Sequence, residues 1–163
     1  VLPFIIPVLL ENQQNGMRSK YGALVDTGCT RCLINQRVVD ELKLNVEFMK
    51  HPMKFEQVDG SLLGGKPSIT MTVPIKLEIG VHWEMLCFIV VQDMREDVIS
   101  GLVWLDRWQP TVWWGGGYRH IRLLVGPQPP LSVEAKPLKK IPEVESIELA
   151  TENVKVEVLS VYN

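Results

Sequence analysis

The stretch "LVDTGCTRCLINQ", residues 24–36, decides how this sequence is interpreted, because it holds two adjacent motifs with different chemistry. The D-T-G triplet at residues 26–28 is typical of an aspartate on a tight turn, whereas the C-x-x-C at residues 29–32 has the spacing of a redox dithiol or of half a zinc site. Apolar runs at residues 23–25 and 32–34 flank the triplet. This order predicts a strand, a turn and a second strand, with Asp26 at the floor of a cleft.

The C-x-x-C lacks the partners that either of its functions needs. A structural zinc site has four ligands, and the nearby candidates, His82 and Cys87, do not have the spacing of a usual ligand pair. A thioredoxin-like dithiol lies within a β-α-β pattern, which we do not find. We therefore predict no metal, and we expect Cys29 and Cys32 to pack as small apolar side chains. A redox-sensitive thiol pair remains open as a form of regulation.

The D-T-G triplet points to peptide hydrolysis by two carboxylates that share one proton. Asp26 would supply one carboxylate, Thr27 would brace the turn by hydrogen bonds, and Gly28 would let backbone and substrate approach closely. The other Asp-Gly pair, at residues 59–60, lacks the flanking strand pattern and suits a hairpin tip. The second aspartate must then come from a second copy of the chain, which predicts a homodimer with the site on its two-fold axis.

Composition narrows the class of protein. The chain has 163 residues, 46% of them apolar, and a formal net charge of −2. Because it has no Lys/Arg-rich run and no long apolar segment, we expect neither nucleic acid nor a membrane as a partner of this domain. The count of three cysteines favours a reducing, intracellular compartment. The first ten residues lack the basic start of a signal peptide, and the missing initiator Met suggests a fragment or a processed piece.

Short apolar or alternating runs, separated by glycine-containing turns, predict a mainly β fold. The segment "ENQQNGMRSK" is predicted to be a hairpin tip with Asn15-Gly16 at its turn. Two stretches predict short helices. One begins at Asn35 as N-cap, and the other places Leu102, Leu105 and Trp108 on one face before Pro110 ends it.

The composition changes at residue 126, where proline and charged residues become frequent. We predict a domain at residues 1–125, followed by an extended linker or tail at 126–163. Near its end, Val154, Val156 and Val158 alternate with polar residues, which is compatible with a terminal strand.

Three blocks in this order, "ALVDTGCTRCLI", "VDGSLLGG" and "FIVVQDMREDVISGLVWLDRWQPTVWW", resemble one known family. It is the retropepsin-like aspartic protease domain of gypsy-type LTR retrotransposons, above all the sushi-type elements and their domesticated descendants, the retrotransposon Gag-like proteins. The resemblance covers roughly residues 1–125. It implies a mainly β, small closed barrel with one or two short helices, and a homodimer that cleaves a Gag-Pol-like polyprotein without a cofactor or metal.

The resemblance also assigns roles to individual residues. It implies that Asp26 is catalytic and that Thr27 and Gly28 complete the active-site turn. Ile99 and Gly101 would support this turn from below. A flap, the hairpin that closes over the bound peptide, would be formed by four residues: Val58, Asp59, Gly60 and Ser61.

Two departures from the family pattern motivate an alternative. Cys29 follows the triplet where the family has Ala or Ser, and Ser100 replaces an apolar residue before Gly101. A buried hydroxyl without a hydrogen bond would cost about 1–3 kcal/mol. The alternative is a catalytically silent retropepsin-like domain that acts as a dimerisation or interaction module.

Overall fold

The computed structural model describes residues 3–125, 143–148 and 154–160, and strands dominate these ranges. The mainly β class is therefore confirmed. Its strands are β1 (Ile5–Glu11), β2 (Arg18–Val25), β3 (Leu33–Asn35), β4 (Val46–Met53), β5 (Ser68–Thr72), β6 (Ile75–Ile79), β7 (His82–Leu86), β8 (Ile89–Val91), β9 (Val98–Ser100), β10 (Thr111–Gly115), β11 (Tyr118–Val125), β12 (Glu143–Glu148) and β13 (Val154–Ser160). Its two α-helices are α1 (Gln36–Glu41) and α2 (Leu102–Trp108), and a 3-10 turn spans Leu63–Gly65.

Nine strands form one sheet in the order β4-β5-β8-β3-β9-β2-β1-β6-β7. The predicted closed barrel is wrong, because β4 and β7 are separate edges of this sheet and do not pair with each other. Closure requires the two edge strands to meet through a matched tilt and stagger. Among the described strands, β7 pairs only with β6 and β4 only with β5.

The β1–β2 hairpin confirms the predicted turn at Asn15-Gly16. Gly16 has φ +74°, and its N–H donates to the carbonyl of Asn12 at 2.8 Å. The buried Asn12 side chain donates to the carbonyls of Leu42 and Lys43, so the hairpin tip is tied to the end of α1. Strand β2 of this hairpin lies between β9 and β1 in the sheet, and it ends at Val25.

The N-cap of α1 is the predicted one. The Asn35 side chain accepts a hydrogen bond from the Arg37 N–H at 2.9 Å, which satisfies one free amide of the first turn. Its amide group also donates to the carbonyls of Met94 and Glu96 at 2.6 and 3.1 Å. Asn35 therefore both starts the helix and fixes the chain that leads into β9.

Replacing Asn35 by alanine is expected to lower the free energy of unfolding by about 2–3 kcal/mol, because the variant loses the cap and leaves two carbonyls without this donor. Urea unfolding followed by circular dichroism measures the change. The matched control is Gln36→Ala, which removes only a surface contact to Asp40 and should stay within about 0.5 kcal/mol. Equal unfolding midpoints for the two variants would contradict this role.

The apolar face of α2 differs from the predicted one. Trp104 is the buried residue of the helix, whereas Leu105 and Trp108 are only partly buried against the core. Neither α1 nor α2 is long or apolar enough to cross a membrane, and the described ranges contain no other α-helix. The larger apolar cluster forms the main core, and its largest fully buried side chains include Trp104, Phe88, Ile6, Leu10 and Leu77.

A second sheet has the order β10-β11-β13-β12. Strand β13 runs parallel to β11, with Arg119 opposite Val154 and Val125 opposite Ser160. Beyond residue 125 the structure describes only residues 143–148 and 154–160, so the predicted boundary at residue 126 lies next to residues outside the described ranges. The division into a domain and a tail therefore stays a prediction.

Candidate active site

Asp26 lies where β2 ends, and backbone contacts hold it there. Its N–H donates to the carbonyl of Ser100 at 3.1 Å, and its carbonyl accepts from the N–H of Cys29 at 3.3 Å. Its side-chain oxygen Oδ1 accepts from the N–H of Gly28 at 2.8 Å. The carboxylate is therefore fixed on the turn, while its second oxygen is available for another hydrogen bond.

Residues after Asp26 face solvent. Thr27 and Gly28 are exposed, and Asp26 itself is partly buried. A Cβ atom at Gly28 would lie 3.1 Å from the Asp26 Oδ1, so a larger residue would press on the carboxylate. The D-T-G motif predicts that the Thr27 hydroxyl braces the turn, but within the described part of the chain this hydroxyl makes no hydrogen bond.

Strand β9 and helix α2 support the turn from below. β9 runs parallel to β2, with Ile99 opposite Leu24 and Ser100 opposite Val25. Ile99 is buried and packs in the same apolar cluster as Cys29. A third neighbour of the turn, Gly101, touches it directly, since an added Cβ would lie 2.3 Å from the Arg31 carbonyl oxygen and 2.5 Å from that of Cys29.

The first amides of α2 complete the turn, and the sequence gives no signal for them. The N–H of Leu102 donates to the carbonyl of Cys29 at 2.7 Å, and the N–H of Val103 donates to the carbonyl of Thr30 at 3.1 Å. Any residue except proline supplies such an amide, so no side-chain pattern could have marked these positions. The turn is consequently held by one distant stretch of the chain, residues 100–103.

The predicted flap residues form a tight turn of their own. The N–H of Gln57 donates to the carbonyl of Ser61, and Gly60 adopts φ +85°. Asp59 Oδ1 accepts from the hydroxyl and the N–H of Ser61, and these hydrogen bonds lower the pKa of Asp59. Val58 is fully exposed. The tip is thus an ordered hairpin that presents an apolar side chain to solvent.

A cavity of about 180 Å³ separates the base of this hairpin from the active-site turn. Asp26 and the four flap-tip residues lie outside its lining. The lining residues come from the turn, from the chain before the flap tip and from the apolar cluster; they are Gly28, Cys29, Thr30, Lys54, Phe55, Glu56, Gln57, Leu63 and Ile99. The active-site turn therefore reaches this cavity through residues 28–30, and the flap hairpin reaches it through residues 54–57.

Both thiols of the C-x-x-C are buried. Burial raises the pKa of Cys29 and raises that of Cys32 to about 11, which leaves little reactive thiolate at neutral pH. Cys29 donates a weak hydrogen bond to the carbonyl of Arg31 at 3.3 Å. No cluster of three or more His, Cys, Asp or Glu side chains that could hold a metal ion occurs in the described residues. The predicted packing role of the two cysteines is confirmed.

Alkylation with iodoacetamide at pH 8 is expected to modify Cys87 first, because Cys87 is exposed. With its pKa raised to about 11, Cys32 is a thiolate in only about one molecule in a thousand at that pH, and burial protects Cys29 as well. Mass spectrometry of timed samples measures the order of reaction, and unfolding in urea should remove it. Equal rates for all three thiols in the folded protein would contradict it.

The arrangement of β2, the turn and the strand–helix junction at Gly101 defines a retropepsin-like domain, as the sequence analysis predicted. A family model described as the PEG10/RTL1 protease domain matches residues 22–119, which is more than half of the chain. The chain belongs to this family of retrotransposon-derived protease domains.

Solved structures of three proteins are similar to this chain. The retroviral protease-like domain of Ddi1 from Leishmania major has 17% identity and a TM-score of 0.49, over 74% of this chain and 88% of that one. EIAV protease in complex with the inhibitor HBY-793 has 16% identity and a TM-score of 0.47, over 64% and 86%. A retropepsin-like aspartic protease from Rickettsia conorii has 12% identity and a TM-score of 0.41, over 70% and 88%.

Proposed function

We propose that this protein is an aspartic endopeptidase whose active site forms between two copies of the chain. The observation that carries the proposal is the position of Asp26, a carboxylate fixed by the Gly28 N–H at 2.8 Å on a turn whose next two residues are exposed. A carboxylate presented in this way can share a proton with a second one and a water molecule. Membership of a protease-domain family supports the same chemistry.

The second carboxylate would be Asp26 of a second copy. The other Asp-Gly pair of the chain cannot replace it, because the Asp59 carboxylate is engaged by Ser61 at the hairpin tip. A two-fold axis that passes between two turns would bring the two carboxylates together. The exposed Thr27, whose hydroxyl has no hydrogen bond in the described part of the chain, would then face the second copy and could brace the paired turns.

In the mechanism, the two Asp26 carboxyl groups hold one proton between them. The ionised one takes a proton from water as the water oxygen bonds to the peptide carbonyl carbon, and the protonated one gives its proton to the carbonyl oxygen. The tetrahedral intermediate then returns a proton to the carboxylate pair. The carboxyl group that took the proton from water donates it to the amide nitrogen as the C–N bond breaks, and an acid and an amine leave.

The substrate would be an extended peptide segment, bound between the turn and a flap formed by residues 58–61. Support for the flap comes from its hairpin geometry and from the exposed Val58, which could pack on the bound peptide. Phe55, Leu63 and Ile99 would offer the peptide apolar contacts in the cavity. Ile99 and Gly101 would act as supports of the turn rather than as contacts of the reacting atoms.

The wider setting follows from the retrotransposon origin of the family. We propose a Gag-Pol-like polyprotein as the natural substrate, a domain at residues 1–125 as the catalytic unit, and a reducing compartment, which suits three free cysteines. The reaction needs no metal or cofactor, and this domain needs neither nucleic acid nor a membrane to perform it.

A peptide library prepared from a denatured proteome tests the activity, because it offers the protein a very large number of different peptide bonds at once. The full chain is incubated with the library at graded concentrations, and mass spectrometry identifies new termini. We expect cleavage that rises faster than linearly with protein concentration, that a statine-type inhibitor blocks, and that the Asp26→Asn variant lacks. Cleavage absent at every concentration from acidic to neutral pH would refute the proposal.

The silent-module alternative loses much of its motivation. Ser100 is buried, and its carbonyl accepts a hydrogen bond from the Asp26 N–H, so this residue takes part in holding the turn. Cys29 packs in an apolar cluster with Ile99 and Leu33, so the thiol fits beside the turn. The alternative predicts that an Asp26→Ala protein rescues the cellular role of the parent protein, and a failed rescue would exclude it.

A further inference from the structure

A buried ionisable pair lies on β7, beneath α2 and apart from the proposed active site. His82 and Glu84 are 4% and 6% exposed, and His82 Nε2 lies 2.7 Å from Glu84 Oε2. The same Glu84 oxygen accepts a hydrogen bond from Trp104 Nε1 at 3.1 Å. Trp83 and Met85, the apolar residues that alternate with this pair, face outward. Strand β7 therefore turns its ionisable side chains towards the core.

Stability alone does not explain why β7 buries this pair. A buried carboxylate loses its hydration, and apolar residues of similar volume often serve a core as well or better. The cluster around the pair also lacks hydrogen bonds: among the described residues, Glu84 Oε1 and the indole N–H of Trp108 are buried without a hydrogen-bond partner. The Trp108 ring contacts His82 edge-on, with the ring centroids 4.3 Å apart. A polar cluster kept under these conditions suggests a role in geometry.

The cluster is connected to the active-site turn through α2. Trp104, whose indole bonds to Glu84, belongs to the first turn of this seven-residue helix. The two residues before it, Leu102 and Val103, donate the N–H groups that hold the carbonyls of Cys29 and Thr30. A helix this short is oriented mainly by its side-chain anchors. The bond from Glu84 to Trp104 therefore fixes the helix that holds the turn.

A second ionisable group near Glu84 is the thiol of Cys32, in the chain that follows the turn. The burial of Cys32 and the Glu84 carboxylate both raise the pKa of this thiol. The backbone of Gly101 and of Trp104 also contacts the thiol. His82, Cys32 and Trp104 of α2 are thus the neighbours of the carboxylate, and Cys32 links it to the chain that follows the turn.

We infer that Glu84, paired with His82, is a positioning residue that orients α2 through the Trp104 indole and so holds the Asp26 turn in its reactive geometry. Glu84 touches neither the peptide nor Asp26. The catalytic half of this role rests on the proposed function, because a silent domain would have no reactive geometry to hold. The structural half, the link from Glu84 to the amides of Leu102 and Val103, does not depend on activity.

Two single variants of the full chain and their combination test this role. Glu84→Met removes the carboxylate that accepts the hydrogen bond, Trp104→Phe removes the indole donor together with part of the ring, and the double variant combines both changes. Amide hydrogen exchange followed by NMR reports whether the N–H groups of Leu102 and Val103 remain bonded. We expect both single variants to exchange these two amides at least about ten times faster, relative to the amides of β1.

Steady-state kinetics with the best-cleaved library peptide test whether the contact between Glu84 and Trp104 affects catalysis. Misplaced catalytic groups lower kcat more than binding, so we expect kcat per titrated active site to fall about ten-fold or more while KM changes less than about two-fold. The double variant should be no worse than the more impaired single one, because both substitutions break the same contact.

The matched control is Thr72→Val. Thr72 is equally buried and accepts a hydrogen bond from the Phe88 N–H at 3.0 Å, but it lies on β5 and contacts neither α2 nor the turn. The control should lose stability and keep both the exchange ratio and kcat per folded molecule. A residue that only stabilises the fold would behave in the same way.

The outcomes separate the two claims. Wild-type exchange ratios at Leu102 and Val103 in the variants would overturn the positioning role, whether or not the protein is a protease. Faster exchange with an unchanged kcat in a cleaving enzyme would overturn its catalytic half. If the wild type never cleaves in an Asp26-dependent way, the proposed function fails and exchange alone decides the positioning role. If Glu84→Met does not fold, Trp104→Phe carries the same measurements.

Discussion

Replacing Asp26 by asparagine is expected to lower the rate of peptide cleavage by about 10²–10⁴-fold, towards the upper end of that range, while stability stays close to that of the wild type. The rate falls because both copies of the dimer lose the group that moves the proton. Stability is retained because the asparagine oxygen can accept the same hydrogen bond from the Gly28 N–H. Cleavage of the best library peptide and urea unfolding measure the two effects.

Mixing the two forms tests whether the site is shared. If each active site needs Asp26 from both copies, random pairing of equal amounts of wild type and Asp26→Asn leaves about a quarter of the pairs active. A site contained within one copy would leave half. A residual activity of one half after complete subunit exchange would contradict the shared site, even if the single variant is inactive.

Gly101→Ala is expected to be the most damaging single-methyl addition near the site, with a loss of about 3 kcal/mol or more in the free energy of unfolding. The new Cβ would lie 2.3 Å from the Arg31 carbonyl oxygen and 2.5 Å from that of Cys29. Both atoms belong to the backbone, so no side-chain rotation relieves the contact. The turn must move, and cleavage should fall with it.

Gly115→Ala is the matched control for this substitution. A Cβ there meets nothing closer than His120 Nε2 at 3.9 Å, and Gly115 lies in a strand without a positive φ. Its stability should change by less than about 0.5 kcal/mol. Urea unfolding of the two variants compares their stabilities. Similar unfolding midpoints would contradict the prediction, because they would mean that the backbone around Gly101 moves to accommodate the new Cβ at little cost.

Local elements were predictable because their signals are local. The turn at Asn15-Gly16 and the cap at Asn35 depend on residues within three or four positions, and the structure contains both. The strand that precedes Asp26 follows from its apolar run in the same way. The resemblance to a family implied only that Ile99 and Gly101 support the turn, and the parallel pairing of β2 with β9 was not predicted, since strand pairing across so many residues leaves no mark in local periodicity.

Two features could not be predicted for identifiable physical reasons. The alternating pattern in "HWEML" does not show which set of residues faces the core. Hydrophobicity alone would place Trp83 inside and Glu84 outside, but in β7 Glu84 is buried and Trp83 is exposed. The open sheet was missed because closure depends on the relative tilt of β4 and β7, which no residue pattern encodes. The polar cluster beneath α2 is therefore visible only in three dimensions.

The hydrogen bonds from residues 100–103 to the Asp26 turn also have a consequence for timing during synthesis. A nascent chain contains the D-T-G triplet long before it contains Ser100, Leu102 or Val103, so the turn cannot close when the triplet leaves the ribosome. At typical translation speeds the delay is on the order of ten seconds, and contacts between such distant residues form slowly even afterwards. Asp26 therefore acquires its final geometry only after residues 100–103 have been translated, so under the proposed function no cleavage can begin before then.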